Sequence, residues 1–182
     1  MGQTAAKLRV HYASYIVIPA RLASTRLPRK LLLRETGKTL IQHTFEAAMR
    51  ARRPMGVCVA TDHVEILDEV RRFGGRAEMT DPDAASGTDR VAQLARELDD
   101  ADVIVNVQGD EPELSGHTID LAVELLEENP DAVVSTLATP IRSRRQLEDP
   151  ACVKVVFDDR RRALYFSRSP IPHPRQWDDR LL

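Results

Sequence analysis

Short apolar runs alternate with amphipathic helical segments along most of this chain, and that alternation limits the folds available to it. The runs are rich in β-branched residues and are only a few residues long, which is typical of buried strands. Strands are predicted at 15–19, 57–60, 76–79, 103–107 and 133–137. Helices are predicted at 40–52, between the Asp62–Glu65 capping box and Gly74-Gly75, at 88–98, and at 116–128.

This order of elements favours an α/β fold with a doubly wound, mostly parallel sheet, because parallel strands need a crossover connection that is usually a helix. The alternation of strands and helices stops near the end of the chain. A short helix capped by Ser143 is followed by apolar runs at 153–157 and 163–166, separated by the turn residues Asp158-Asp159. These runs predict a β-hairpin, not a further strand–helix unit.

Composition excludes several classes of function. The 182 residues carry a net charge of −2 and 4% aromatic side chains, so neither a basic field nor stacking platforms for nucleic acid are expected. No window approaches the ~18 apolar residues of a membrane span, and the N-terminus has no signal-peptide core. Cys58 and Cys152 are expected to be buried free thiols. We therefore expect a cytoplasmic protein with a tail at 1–14 and one domain at 15–182.

A cationic, hydroxyl-rich segment follows the first predicted strand directly. It contains Arg21, Ser24, Thr25, Arg26, Arg29 and Lys30. A buried strand fixes the start of such a loop, and cations and hydroxyl donors are the groups that bind a polyphosphate. The segment has no glycine and is therefore neither a Walker A loop nor a dinucleotide-binding loop. A solvated basic turn is the alternative interpretation.

Asp110 follows the most strongly predicted strand, next to Gly109, which permits a sharp turn. A carboxylate at a strand end that faces a cationic loop is a natural ligand for Mg²⁺, which takes one or two carboxylates together with phosphate oxygens and water. Glu111 is the weaker alternative ligand. The alternative interpretation of Asp110 is a turn or helix-capping residue.

The segment Ser86–Arg90 opens a predicted helix, which Thr88 is expected to cap. The free amides of the first turn, together with Arg90 one turn later, could also face a ligand. The sequence alone does not decide between the capping role and the ligand-binding role. The histidines have no metal-ligand spacing, and Ser24 has no obvious base, so covalent catalysis is not supported.

All these polar clusters follow predicted strands. In an open parallel sheet, ligands bind in the crevice outside the carboxyl ends of the strands. We therefore expect the loop at 21–30, the residues at 61–63, the segment at 86–90 and the turn at 108–112 to meet at one edge of the sheet.

Six blocks of the sequence resemble, in order, the motifs of the 3-deoxy-manno-octulosonate (Kdo) cytidylyltransferases, or CMP-Kdo synthetases. They are Ile18–Pro28 with Lys30, Ala60–Asp62, Ser86–Arg90, Val105–Pro112, Val153–Val156 and Ala163–Arg168. The resemblance covers about residues 15–172. It implies a nucleotidyltransferase domain that transfers CMP from CTP to Kdo, an acidic sugar of bacterial lipopolysaccharide, and releases pyrophosphate.

The resemblance also implies roles for single residues. Those implied to hold the triphosphate are Arg21, Ser24, Arg26 and Lys30, and those implied to surround the cytidine are Ser86, Gly87 and Arg90. Gln108 would face the sugar acid, Asp110 would bind Mg²⁺, and Arg168 is a weaker candidate on the substrate side. Arg21, Lys30 and Asp110 are the predicted catalytic residues, since positioning and charge neutralisation would do most of the work. The family resemblance further implies a homodimer.

Two features depart from the family pattern. Arg29 stands where the family usually has glycine, which adds charge and narrows the backbone options. The chain also ends at Leu182, before the segment in which the family has a His/Tyr pair for Kdo, a second Mg²⁺-binding Asp and much of its dimer contact. We therefore expect a domain that is incomplete at its carboxyl end.

Three other interpretations remain. One is a cytidylyltransferase for another sugar acid such as sialic acid, but Ala23–Arg26 does not fit the Arg-x-Gly-Ser-Lys opening of that family. The second is a sugar-1-phosphate nucleotidyltransferase, whose glycine-rich opening is missing here. The third is a non-catalytic, nucleotide-binding remnant.

Overall fold

The computed structural model of the protein describes residues 10–24, 27–173 and 175. They belong to two compact units, Met1–Ser135 and Thr136–Leu182. The assignment of residues 15–182 to one domain stays a prediction.

The first unit contains a four-stranded parallel sheet with the strand order β3-β2-β1-β4. The strands are β1 (Ser14–Ala20), β2 (Val57–Thr61), β3 (Arg76–Met79) and β4 (Val103–Asn106). The two central strands, β1 and β2, are almost entirely buried. Their near-continuous apolar sequences are what a strand covered on both faces requires.

Four helices connect and cover these strands: α1 (Leu40–Ala48), α2 (Val64–Arg72), α3 (Gly87–Ala95) and α4 (Gly116–Glu128). A single 3₁₀ turn, Lys30–Leu32, precedes α1. Each of the four helices begins after a residue whose side chain accepts a backbone N–H from the first turn, namely Thr39, His63, Ser86 and Ser115. Such caps replace hydrogen bonds that the first turn cannot make within the helix.

Helices pack on both faces of the sheet. Ile16 and Ile18 share one apolar cluster with residues of α1, α2 and α4, whereas Val17 shares the other with Val91 and Leu94 of α3. The alternation along β1 follows from the two-residue repeat of a strand. The doubly wound, parallel α/β fold predicted from the sequence is therefore confirmed.

The second unit contains the predicted hairpin. A short helix, α5 (Arg144–Glu148), is capped by Ser143 and precedes the antiparallel strands β5 (Lys154–Phe157) and β6 (Ala163–Ser167). Lys154 is buried, and its ammonium donates to the carbonyl oxygens of three residues, Asp149 (2.6 Å), Cys152 (2.7 Å) and Arg168 (2.8 Å). Among the described residues of this unit, Leu147 is the one buried apolar side chain.

The prediction of a strand at 133–137 is wrong. These residues form no strand, and the side chains of Val133 and Val134 are 93% and 78% exposed. A β-branched run becomes a strand only where another strand supplies its hydrogen bonds and a packed face, and within the described ranges nothing pairs with this run.

None of the helices in the described ranges combines the length and apolar character that spanning a bilayer requires.

Candidate functional site

The carboxyl ends of the four parallel strands meet at one edge of the sheet. In the strand register, Ala20 lies beside Thr61, Thr61 lies beside Met79, and Val17 lies beside Asn106. The loops that follow these residues therefore leave the sheet together, as predicted from the sequence.

Pro19, near the end of β1, lies between two of the predicted segments. A Cβ atom added to Gly109 would be 3.2 Å from the Pro19 carbonyl oxygen, and one added to Gly87 would be 3.5 Å from the Pro19 side chain. The start of α3 and the turn after β4 thus both pack against the strand that leads into the cationic loop.

Lys30 and Asp110 are in direct contact, although 80 residues separate them in the sequence. The Lys30 Nζ atom donates to the Asp110 Oδ2 atom, and the two side chains are 28% and 42% exposed. A loop cation and a turn carboxylate therefore share one partly open position at the sheet edge. Their attraction is moderate, because solvent reaches both groups.

A buried hydroxyl of α1 supports the turn that carries Asp110. The Thr44 Oγ1 atom donates to the carbonyl oxygen of Gly109 over 2.9 Å, and Thr44 is fully buried. A second hydrogen bond, from the Glu111 N–H to the Gln108 carbonyl oxygen, closes the turn. Sequence reasoning did not find Thr44, because nothing in the pattern of α1 indicates which distant carbonyl it would meet.

Arg90 is buried and surrounded by protein groups at the ends of β2 and β3. Its guanidinium donates to the Thr80 hydroxyl, to the Asp81 carbonyl oxygen (3.1 Å) and to the Asp62 carboxylate (3.1 Å). The other oxygen of Asp62 accepts the backbone N–H of Leu22 over 3.3 Å. The predicted Asp62–Glu65 capping box is therefore wrong: His63 caps α2, and Asp62 is bonded to two distant segments.

Ser86 is the N-cap of α3. Its Oγ atom accepts the N–H of Asp89 (3.1 Å) and donates to the Asp89 carboxylate (2.6 Å). The expectation that Thr88 caps this helix is wrong, because Thr88 lies inside the first turn. The observed cap, Ser86, lies two residues before the predicted one, and the helix begins at Gly87.

The other predicted site residues lie as follows. Arg21 is exposed and Ser24 half-buried on the loop after β1. Arg26 lies outside the described residues. Gln108 is exposed, and its Nε2 atom donates to the Asn106 side chain over 3.2 Å. Arg168, in the second unit, donates from Nη1 to the Pro150 carbonyl oxygen over 2.8 Å.

Arg29 adopts the left-handed backbone conformation, with φ 55° and ψ 27°. Its side chain forms an ion pair with Glu65 of α2. The left-handed region costs a residue with a Cβ roughly 1–2 kcal/mol and glycine almost nothing. This conformation gives a physical reason for glycine being usual at this position in the family that the sequence resembles.

A buried carboxylate ties the segment after Lys30 to α2. Glu69 accepts the Thr39 hydroxyl (2.8 Å) and the Arg72 guanidinium (2.9 and 2.8 Å), and it also pairs with Arg34. The hydrogen bond from Arg72, with smaller effects of Thr39 and Arg34, holds the pKa of Glu69 below its ordinary value. The carboxylate is thus charged and fully paired, which is what a buried charge requires.

The fold and the site together define an α/β protein in which a cationic loop opposes an acidic turn at the carboxyl edge of a parallel sheet. Residues 15–181 match the family described as Cytidylyltransferase. The chain belongs to this cytidylyltransferase family.

Individual relatives are named more narrowly. The 3-deoxy-manno-octulosonate cytidylyltransferase of Rhodopirellula baltica is 49% identical over 88% of this chain and 64% of the relative. The 8-amino-3,8-dideoxy-manno-octulosonate cytidylyltransferase of Shewanella frigidimarina is 44% identical over 90% of this chain and 68% of the relative. The chain therefore spans about two thirds of the length of these relatives.

A solved structure of CMP:2-keto-3-deoxy-manno-octonic acid synthetase complexed with CTP has the same fold. It matches with a TM-score of 0.80 and 40% sequence identity, over 90% of this chain and 67% of that chain. The family resemblance found in the sequence is thereby confirmed. The roles of the individual site residues stay predictions.

Proposed function

We propose that the protein transfers CMP from CTP to Kdo and releases pyrophosphate, as a step of lipopolysaccharide biosynthesis in the cytoplasm. The observation that carries the proposal is the contact between Lys30 of the cationic loop and Asp110 of the turn after β4. A cation and a carboxylate that share one open position are the groups needed to receive a metal-bound triphosphate. The relatives named as Kdo cytidylyltransferases support the choice of substrates.

In the proposed reaction, the anomeric hydroxyl of Kdo attacks the α-phosphorus of CTP. A bond forms between the sugar oxygen and this phosphorus, the bond to the bridging oxygen of the β-phosphate breaks, and the hydroxyl proton passes to solvent. The protein would contribute orientation and charge neutralisation, with no covalent intermediate. The proposed triphosphate-binding residues are Arg21, Ser24, Arg26 and Lys30.

The first turn of α3 would border the cytidine through Ser86 and Gly87, with Arg90 behind them. The start of α3 packs against Pro19 near the end of β1, and the partial positive charge of a helix N-terminus favours the negatively charged part of a ligand. Gln108, exposed beside the turn, would face the sugar acid.

The donors present fit Mg²⁺. Asp110 offers a half-exposed carboxylate, and phosphate oxygens and water would supply the other oxygen ligands of the kind that Mg²⁺ prefers. Across the described ranges no cluster of three or more His, Cys, Asp or Glu side chains could hold a metal ion without the substrate. Bound Mg²⁺ would neutralise charge on the phosphate oxygens. Lys30, now paired with Asp110, would supply a second positive charge.

The decisive experiment measures pyrophosphate release by the purified chain with CTP, Mg²⁺ and Kdo, together with titration of CTP by calorimetry. We expect release, and we expect Asp110→Asn to lower kcat/KM by about 100-fold. Asp102→Asn is the matched control, since Asp102 accepts the Ala13 N–H before the start of β1, at the opposite end of that strand.

Each outcome has a defined meaning. Release of pyrophosphate from CTP with Kdo as the acceptor supports the proposal, whereas release only with the 8-amino sugar acid as the acceptor would move the assignment to another sugar acid. Binding of CTP without release would favour the non-catalytic remnant. Absence of CTP binding would refute the proposal altogether. The proposed homodimer is tested separately by light scattering of the same sample.

A further inference from the structure

We propose that Asp62 is a positioning residue that fixes the first part of the triphosphate loop, and that Arg90 acts on this loop through Asp62. This inference rests on the proposed function, which assigns the loop to the triphosphate. The carboxylate joins two segments that are far apart in sequence. Its Oδ1 atom accepts the Leu22 N–H over 3.3 Å, and its Oδ2 atom accepts the Arg90 Nη2 over 3.1 Å.

The contact at Leu22 lies where the loop leaves the sheet. Leu22 is two residues beyond the end of β1, and it directly follows Arg21. A hydrogen bond to a charged acceptor is about twice as strong as one between neutral groups. The loop is therefore tied at its beginning by Asp62 and at Lys30 by Asp110. Ser24 lies between the two ties, and Arg21 directly precedes the first one.

Arg90 determines where the Asp62 carboxylate can lie. The Arg90 side chain is 5% exposed, that of Asp62 is 17% exposed, and the guanidinium is fixed further by Thr80 and by the Asp81 carbonyl oxygen. Arginine stays charged in proteins, so a buried guanidinium needs its carboxylate partner. The chain of contacts runs from α3 through Arg90 and Asp62 to the backbone of Leu22.

This geometry makes Arg90 a residue that fixes other protein groups, not one that contacts the base of the nucleotide. Its donors are directed to protein oxygens at the ends of β2 and β3, beside the N-terminus of α3 where Ser86 and Gly87 lie. The same network therefore sets the spacing between the loop for the triphosphate and the helix end for the nucleoside. Displacement of a bound group by about 1 Å can lower a rate by about 100-fold.

The test compares Asp62→Asn with Asp102→Asn. Both residues are aspartates whose carboxylates accept a backbone N–H next to β1, but at opposite ends of that strand. We expect Asp62→Asn to raise the Kd for CTP and the KM for CTP by about 10- to 100-fold, whereas KM for the sugar acid changes little and the melting temperature falls no more than in the control. An unchanged Kd for CTP in a folded Asp62→Asn protein would overturn the proposal.

Two measurements need no nucleotide and separate this inference from the proposed function. Trypsin should cut after Arg21 faster in Asp62→Asn than in Asp102→Asn, as located by mass spectrometry. In the unchanged protein, the Leu22 amide should exchange with deuterium far more slowly than in an unstructured peptide. Equal cleavage in both variants, or unprotected exchange at Leu22, would show that Asp62 does not fix the loop. Failure of the wild-type chain to bind CTP would instead count against the proposed function.

Discussion

Two glycines with the same local position should respond in opposite ways to the same substitution. Gly116 and Gly87 are each the first residue of a helix, directly after a serine N-cap. A Cβ added to Gly116 would come within 2.5 Å of backbone atoms of Ala51 and Arg50, beyond the end of α1. A Cβ added to Gly87 would lie 3.5 Å from the Pro19 side chain, which is an ordinary contact distance.

The magnitudes follow from these distances. Carbon atoms pack at about 3.5–4.0 Å, so Gly116→Ala requires α4 to move by about 1 Å from a rigid backbone. Overpacking of this kind costs about 1–3 kcal/mol, and the lower entropy of the unfolded chain returns at most about 1 kcal/mol. For Gly116→Ala we expect a net loss of about 2 kcal/mol. For Gly87→Ala the entropy term acts without a clash, so we expect a gain of about 0.5 kcal/mol.

Urea unfolding followed by far-ultraviolet circular dichroism measures both values, because α1 to α4 all belong to the first unit. With a slope of about 2 kcal/mol per M, the midpoint should fall by about 1 M for Gly116→Ala and rise by about 0.2 M for Gly87→Ala. Equal midpoints for the two variants would refute the claim that contact between α4 and the end of α1 limits this position. A lower slope with an unchanged midpoint would also contradict it.

Three further outcomes are expected. Thr44→Val should lower the free energy of unfolding by about 1–3 kcal/mol, because the Gly109 carbonyl oxygen loses its buried donor; Thr44→Ser, which keeps the hydroxyl, should lose less in the same urea titration, and a reversed order would contradict the argument. Burial raises the pKa of Cys58 to about 12, so iodoacetamide at pH 8 should leave Cys58 unmodified in the native protein and label it after denaturation; peptide mapping that finds it labelled in both states would disprove its protection. The pKa of Glu69 in the folded protein lies below its ordinary value of 4.5, so the stabilising effect of this carboxylate is complete above pH 4.5 and is lost as the pH falls through the folded pKa. Glu69→Gln should therefore lose stability less steeply than the unchanged protein below pH 4.5. Acid unfolding curves of identical steepness would exclude a stabilising effect of the Glu69 charge.

The secondary structure could be predicted where local signals decide it. The strand at 76–79 and the helix at 116–128 match the observed β3 and α4, because turn residues and caps mark their ends. The run at 133–137 has the same strand-forming residues but no partner strand among the described residues, so it stays irregular. Propensity could indicate that a strand is possible there, but pairing is a property of the tertiary structure.

The contacts of the site likewise divide into those that local sequence patterns predict and those that they do not. The contact between Lys30 and Asp110 follows from the rule that loops after parallel strands meet at one edge, so it could be anticipated. Asp62 could not: its sequence neighbours indicate a capping box, yet its partners Leu22 and Arg90 lie 40 and 28 residues away. Thr44 likewise bonds Gly109 across 65 residues. Such pairs depend on packing, which single-sequence patterns do not describe.

Among the described residues of the second unit, Leu147 is the single buried apolar side chain, and this affects where the chain can be divided into fragments. A fragment that begins at Thr136 would remove little hydrocarbon from water, while ordering each residue of its backbone costs about 1–2 kcal/mol. Expressed separately, it should give the narrow amide proton spectrum of an unstructured peptide, and cell proteases should degrade it. Boundaries for recombinant work on this family are therefore better placed outside the hairpin than at residue 135.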